Sequence, residues 1–316
     1  MGLGDIGQAV ARAAVLRDDL ELVAVVDRDP ALEGRALDSL LGVPAPAELR
    51  VEGDLSKALA RARGGVLLHT GTSRLDEALP DVRAAVGAGV HVVSTCAELA
   101  YPELDRAEDA EALHRLCERK GVAVVATGVA PGFSLDRLPA FLAQVTGPIR
   151  HVRALRVVDL AAARGTLGRE AGVGLSEAAF DAALERGELG SLGLAQSAAL
   201  VAESCIGVDE YEVDEELFPL FADEDGAVRR GEVAGLQQVA RVFAEDREVV
   251  RLELTLQVGA QDPRDEVELD GDPPLRLVVP GGIPGESGAA NAVVNAIPAV
   301  VERQGLLSVL DLPAGR

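Results

Sequence analysis

Apolar positions in the first 133 residues alternate between two patterns. Residues 8–17, 30–41, 54–63, 75–88 and 103–120 space their apolar side chains three and four apart, as a helix face does. Between them lie short apolar runs at 20–26, 65–69, 90–93 and 122–126, bounded by Gly, Asp, Ser or Thr. Strands alternating with helices of this length predict a parallel, doubly wound sheet of the Rossmann type. Right-handed crossovers then put every strand's C-terminal end on one edge, where such sheets bind ligands. Residues 2–7, Asp27, residues 70–72, 94–98 and 128–133 are therefore expected around one crevice.

Past residue 133 the pattern changes. Residues 135–144 and 176–200 read as helical, the second with a break at 187–193. Residues 151–160, 232–242, 249–258, 265–269 and 275–279 alternate apolar and polar positions, which predicts an antiparallel sheet with one wet face. A helical run, 288–303, and a short apolar tail, 306–312, close the chain. The fold class expected is α/β: a Rossmann-type domain at 1–133, an α+β domain at 134–280, and a C-terminal helix and tail at 281–316 that pack back on the first domain.

Gly2, Gly4 and Gly7 form G-x-G-x-x-G directly before the first helical run, and Asp27 ends the strand that follows. This is the dinucleotide-binding fingerprint in its proper order. The turn must be tight, its backbone must approach a pyrophosphate, and the free N–H groups of Asp5, Ile6 and Gly7 must open the helix toward it. The fingerprint ordinarily follows a strand, and only Met1 precedes Gly2. The expectation is that the first, central strand is missing, through a late start site or a truncation. A version with the strand restored is then expected to be more stable and to bind cofactor better.

Composition narrows the function classes. The 316 residues hold 52 acidic against 30 basic side chains, a formal net charge of −22. That balance argues against nucleic acid and anionic membranes, which require basic patches. No apolar run reaches the ~18 residues of a membrane span, and no leader pattern opens the chain, so a cytoplasmic protein is expected. Cys96, Cys117 and Cys205 have neither zinc spacing nor a disulfide framework, and with four histidines no metal site is expected.

Candidate chemistry gathers at the strand ends. Asp27 is placed to accept hydrogen bonds from a ribose hydroxyl, and its charge repels a 2′-phosphate, which favours NAD over NADP. Arg28 beside it softens that preference by stacking on adenine or meeting a phosphate. Thr70, Gly71 and Thr72, and Ser94, Thr95 and Cys96, are small enough for a cofactor to lie across the strand tips; the threonines and serines serve equally as helix caps. Glu98 follows an apolar strand amid Cys96, Ala97, Leu99 and Tyr101, where a carboxylate can act as a general base. It is equally a helix-entry carboxylate facing the macrodipole of the next helix, which Pro102 and Glu103 open. Ala130, Pro131 and Phe133 lie in a glycine and proline turn that would floor a substrate pocket, with Arg164 and Thr166 as further pocket candidates. His69 reads as a hydrogen-bonded histidine at a strand end.

The runs HTGTS (69–73), VVSTCAELAYP (92–102), ATGVAPGF (126–133), GEVAGLQQVAR (231–241) and NAVVNAIP (291–298) resemble, in order, the 2,4-diaminopentanoate dehydrogenase and native amine dehydrogenase group. The resemblance implies a dihydrodipicolinate-reductase-like nucleotide domain, a homodimer, and NAD or NADP as cofactor. It implies reductive amination of a ketone or aldehyde by ammonia, or oxidative deamination of an amine, with Glu98 as the base that deprotonates ammonium. It also implies a cofactor contact at Asn295. Ala97, Ala130, Gln237 and Pro284 depart from the group's pattern, which suggests a less polar pocket suited to simple apolar carbonyls and amines. An imine or dihydrodipicolinate-type reductase and a non-catalytic nucleotide sensor are the competing readings.

Overall fold

The computed structural model describes residues 1–46, 48–161 and 166–315. It divides into two compact units, Met1–Phe133 with Pro284–Arg316, and Ser134–Ile283.

In chain order the first unit contains α1 (Asp5–Val15), β1 (Val25–Val26), α2 (Leu37–Leu41), β2 (Val51–Glu52), α3 (Leu55–Arg61), β3 (Val66–His69), α4 (Leu75–Gly87), β4 (His91–Ser94), α5 (Glu103–Lys120) and β5 (Ala123–Ala126). The second unit contains α6 (Arg137–Ala143), β6 (His151–Asp159), α7 (Thr166–Glu170), α8 (Glu177–Glu185), α9 (Leu194–Val201), β7 (Glu212–Phe221), β8 (Val233–Ala244), β9 (Arg247–Gln257), β10 (Arg264–Asp270) and β11 (Leu275–Pro280). The chain then returns to the first unit with α10 (Gly285–Val300) and β12 (Gly305–Leu307).

The first unit is the expected α/β fold. Its main sheet is parallel, in the order β12-β5-β4-β3. Alternation along the strands sorts the core into two layers. Val92 and Val124 face α4 and α5, whereas Val93 and Val125 face α1 and α10. Among the described residues β1 pairs only with β2, in a separate two-stranded parallel ladder over a small cluster that includes Leu3, Leu37 and Val51.

Several sequence expectations shift. Of the strand read at 20–26, only Val25–Val26 pairs. Of the helix read at 30–41, only α2 forms, because Gly34 takes a φ of +75° and donates its N–H to Val51. The apolar tail supplies β12, an edge strand in register with β5. Among the described residues no helix is long and apolar enough to cross a membrane.

The second unit is built on a six-stranded sheet, order β11-β10-β6-β9-β8-β7. It is mixed rather than antiparallel: β6 runs parallel to β9, and the other pairings are antiparallel. The long connection through α7–α9 provides the crossover that a parallel pair requires. α9 packs against β7, β8 and β9. A buried ion pair ties β6 to β10: Arg156 donates to both carboxylate oxygens of Asp265 at 2.7 and 2.8 Å and to the Ile283 carbonyl at 2.7 Å. Asp265 also accepts the Ile283 N–H at 2.6 Å. Removing one partner of such a pair leaves the other charged and unpaired. Asp265→Ala is expected to lower the stability of this unit by about 3–5 kcal/mol in denaturant titration; a change near zero would show the pair to be solvated.

Candidate active site

The glycine turn is fastened at the C-terminal edge of the parallel strands. Gly2 has a φ of +88°, and a Cβ there would lie 2.8 Å from the Gly71 backbone. A Cβ on Gly7 would lie 1.9 Å from the Gly2 carbonyl oxygen. Both positions exclude any side chain, so the turn can close against residues 70–71. The Thr70 hydroxyl donates to the carbonyls of Met1 (3.0 Å) and Gly2 (2.8 Å). Asp27 accepts the Leu3 N–H at 2.6 Å through one oxygen and the Asp29 N–H at 2.8 Å through the other. Its first role is thus to tie the glycine turn to the end of β1, a role the residue spacing alone does not reveal.

α1 opens beyond Gly4 with no side-chain cap on its first amides. A Cβ on Gly4 would meet nothing within 4 Å, so the space beside Gly4, at the start of α1, is open. Uncapped amides, an open approach and a carboxylate at the next strand end fit a dinucleotide's pyrophosphate and ribose.

The neighbouring strand ends join this edge through backbone bonds. Thr95 donates to the His69 carbonyl at 2.9 Å, and Thr127 donates to the Ser94 carbonyl at 2.8 Å. Glu98 is fixed to the loop after β3: its N–H donates to Ser73 (3.2 Å), and its Oε2 accepts the Leu75 N–H (2.6 Å) at the start of α4. It is half-buried. Glu98 therefore caps the start of α4, rather than the entry of α5 that its place ahead of Pro102 suggested, and stands beside the strand tips.

The other small residues have local duties. Thr72 donates to Glu77 (2.5 Å) and accepts from the Arg74 N–H (3.1 Å). Ser94 is buried, shares a hydrogen bond with Nδ1 of His69 (3.0 Å) and accepts the Cys96 N–H (3.0 Å). Burial pushes the Cys96 thiol up to about 12, which removes it as a nucleophile at neutral pH. Arg28 is paired with Asp81 of α4 at 2.5 Å.

His69 is only half satisfied. Its Nε2 is buried without a hydrogen-bond partner and lies 3.8 Å from the Asp81 carboxylate. Asp81 was not among the sequence candidates. Its signal is an acid within the buried face of α4, among Ala78, Leu79, Val82 and Ala85.

The turn after β5 places Ala130, Pro131 and Phe133 in the first unit, with a cis Ala130–Pro131 peptide and Phe133 partly exposed. Gln237 lies on β8 of the second unit, 3.5 Å from Glu253. Arg164 lies outside the described residues, and Thr166 begins α7. Asn295 is not brought to the glycine turn. It accepts from Arg17 (3.3 Å), beyond the far end of α1, a helix of 11 residues and so ~16 Å long.

Comparison with known proteins places this geometry in context. The family described as 2,4-diaminopentanoate dehydrogenase C-terminal domain matches residues 133–316. A 2,4-diaminopentanoate dehydrogenase of Acetoanaerobium sticklandii is 25% identical over 328 aligned positions, covering 100% of this chain and 93% of the relative. An amine dehydrogenase of Streptomyces virginiae is 33% identical over 168 positions, half of this chain and 44% of the relative. Among solved structures, the amine dehydrogenase of Mycobacterium smegmatis superposes with a TM-score of 0.85 at 23% identity, covering 100% of this chain and 95% of that one.

The two glycines separate folding from binding. Gly7→Ala forces the turn open and is expected to lower both the melting temperature and the affinity for reduced dinucleotide, the latter by about tenfold or more. Gly4→Ala is expected to leave melting unchanged and weaken binding only. Loss of stability in Gly4→Ala with binding intact would contradict the assignment.

Proposed function

This chain belongs to the 2,4-diaminopentanoate dehydrogenase family, and on that premise we propose that it is a nicotinamide-dependent amine dehydrogenase. Ketone or aldehyde, ammonium, reduced nicotinamide and one proton give the protonated amine, water and oxidised nicotinamide. Oxidative deamination is the reverse. The observation that carries this reading is the anchored carboxylate of Glu98 at the same edge as the glycine turn.

The uncapped amides of α1 would hold the pyrophosphate, and Asp27 the adenosine ribose. Asp27 already accepts two backbone N–H groups, yet each carboxylate oxygen retains a further lone pair for a hydroxyl. A 2′-phosphate would meet its charge, and Arg28 is engaged by Asp81, so NAD is the preferred cofactor in this reading. The nicotinamide, when bound, supplies the hydride.

Glu98 takes a proton from ammonium to release the nucleophilic amine. It then returns a proton to the carbinolamine hydroxyl, which leaves as water. Oε2 is held by the Leu75 N–H, and among the described residues no hydrogen bond reaches Oε1, so one oxygen is anchored and the other is available for proton transfer. Ala97 and Ala130 bring no polar group to this edge, which favours simple apolar carbonyls. A homodimer belongs to the same proposal.

The reading is tested by NADH oxidation with a panel of small ketones and aldehydes, with and without ammonium. Ammonium-dependent loss of NADH is expected; consumption on a preformed imine alone, without ammonium, would favour an imine reductase. Glu98→Gln retains an acceptor for Leu75 and so should keep the fold. It is expected to lower turnover by about 10²–10⁴-fold while leaving the NADH dissociation constant unchanged. Undiminished turnover would remove Glu98 from the mechanism.

A further inference from the structure

α4 buries one acid. Its inward face carries Ala78, Leu79, Val82 and Ala85, and among them Asp81 is only 5% exposed. A carboxylate in such a place needs a partner, because burying an unpaired charge is costly. Among the described residues one hydrogen bond reaches it, from the Arg28 guanidinium to Oδ1 at 2.5 Å. The proposed reaction gives Asp81 no task.

His69 stands on the other side of the carboxylate. Nδ1 of its ring shares a hydrogen bond with Ser94, and Nε2 lies 3.8 Å from Oδ2 of Asp81. The carboxylate favours the tautomer with the proton on Nε2, and Ser94 then donates to Nδ1. Asp81 is thus held between a cation and an imidazole N–H. A Cβ on Gly71 would lie 3.6 Å from the same Nε2, so the group sits directly beneath the loop that closes on the glycine turn.

The two members of the ion pair differ in exposure. The Arg28 side chain is 65% exposed, against 6% for that of Asp81. The acid is fixed in α4, whereas the arginine reaches it from the open edge, one residue past Asp27. Asp27 is the carboxylate placed for the adenosine ribose, so an unpaired arginine at position 28 would stand beside the 2′ oxygen of that ribose. A guanidinium fork is well matched to phosphate. Parting the pair to meet a phosphate would leave a buried carboxylate without its cation. Arg28 therefore stays on Asp81, and a 2′-phosphate meets the charge of Asp27 alone.

We propose that Asp81 sets the dinucleotide preference of this chain: it withholds Arg28 from the 2′-phosphate of NADP and so makes the site one for NAD. The proposal rests on the dinucleotide reading of the glycine turn. Selectivity then depends on an acid inside α4 as well as on the acid at the strand end.

Four forms of the full chain test this: the unchanged chain, Asp81→Asn, Arg28→Ala and the double variant, each titrated with NADH and with NADPH by nicotinamide fluorescence. Asn has the shape of Asp without its charge, so Arg28 is released while α4 keeps its packing. Asp81→Asn is expected to tighten NADPH relative to NADH by about tenfold or more. Removing Arg28 should cancel that gain in the double variant and leave the ratio of the unchanged chain where it was. An unmoved ratio in Asp81→Asn would overturn the proposal, as would a gain that survives in the double variant. So would an equal loss of NADPH affinity on removing Arg28 in either background, because Arg28 would then already reach the phosphate. If the unchanged chain binds neither dinucleotide, the reading of the glycine turn fails and the proposal with it. Binding of both with an unmoved ratio removes Asp81 alone. If Asp81→Asn does not fold, Asp81→Ala, which suits the apolar face of α4, is read in the same way.

Discussion

The fold around the candidate active site depends on one steric constraint, the contact of Gly7 with the carbonyl of Gly2. No Cβ fits there, and none fits at Gly2 against Gly71. The resulting closeness lets the Thr70 hydroxyl bridge two carbonyls of the turn and lets Asp27 reach the Leu3 amide. Helix, turn and two strand ends are thereby locked together, with the α1 amides left free. For the proposed dinucleotide site this means a set of backbone donors held still in advance, so that binding would cost little ordering.

The second element of the site is set by α4. Its first amide holds Glu98, and its buried face carries Asp81 against Arg28 and near His69. Glu98 and Asp81 are thus positioned from one rigid helix, one at its start and one on its buried side. The base of the proposed reaction is aligned by the same bond that satisfies the start of that helix.

Much of this was legible in the chain because periodicity and strand-end chemistry are local. Val92 and Val93 announce a strand buried on both sides, and Gly2, Gly4, Gly7 and Asp27 announce the turn and the acid at the next strand end. What the sequence hid was set by distant partners. β7 carries charges on both faces and Pro219, and it pairs only because β8 offers an edge. The parallel match of β6 with β9 joins segments about a hundred residues apart, which no short-range pattern encodes. Asn295 looked like a site residue from its motif, but its carbonyl is turned to Arg17. The tie from Asp27 to the Leu3 amide follows only from the closed turn.

The most direct test of the central claim is the fate of two labels in one product. A ketone is incubated with the protein, isotopically labelled ammonium and NADH deuterated at the transferred position, and the product is analysed by mass spectrometry. An amine carrying both the nitrogen label and one deuterium is the predicted result. A deuterated alcohol without labelled nitrogen, or no reduced product from any carbonyl, would contradict the account.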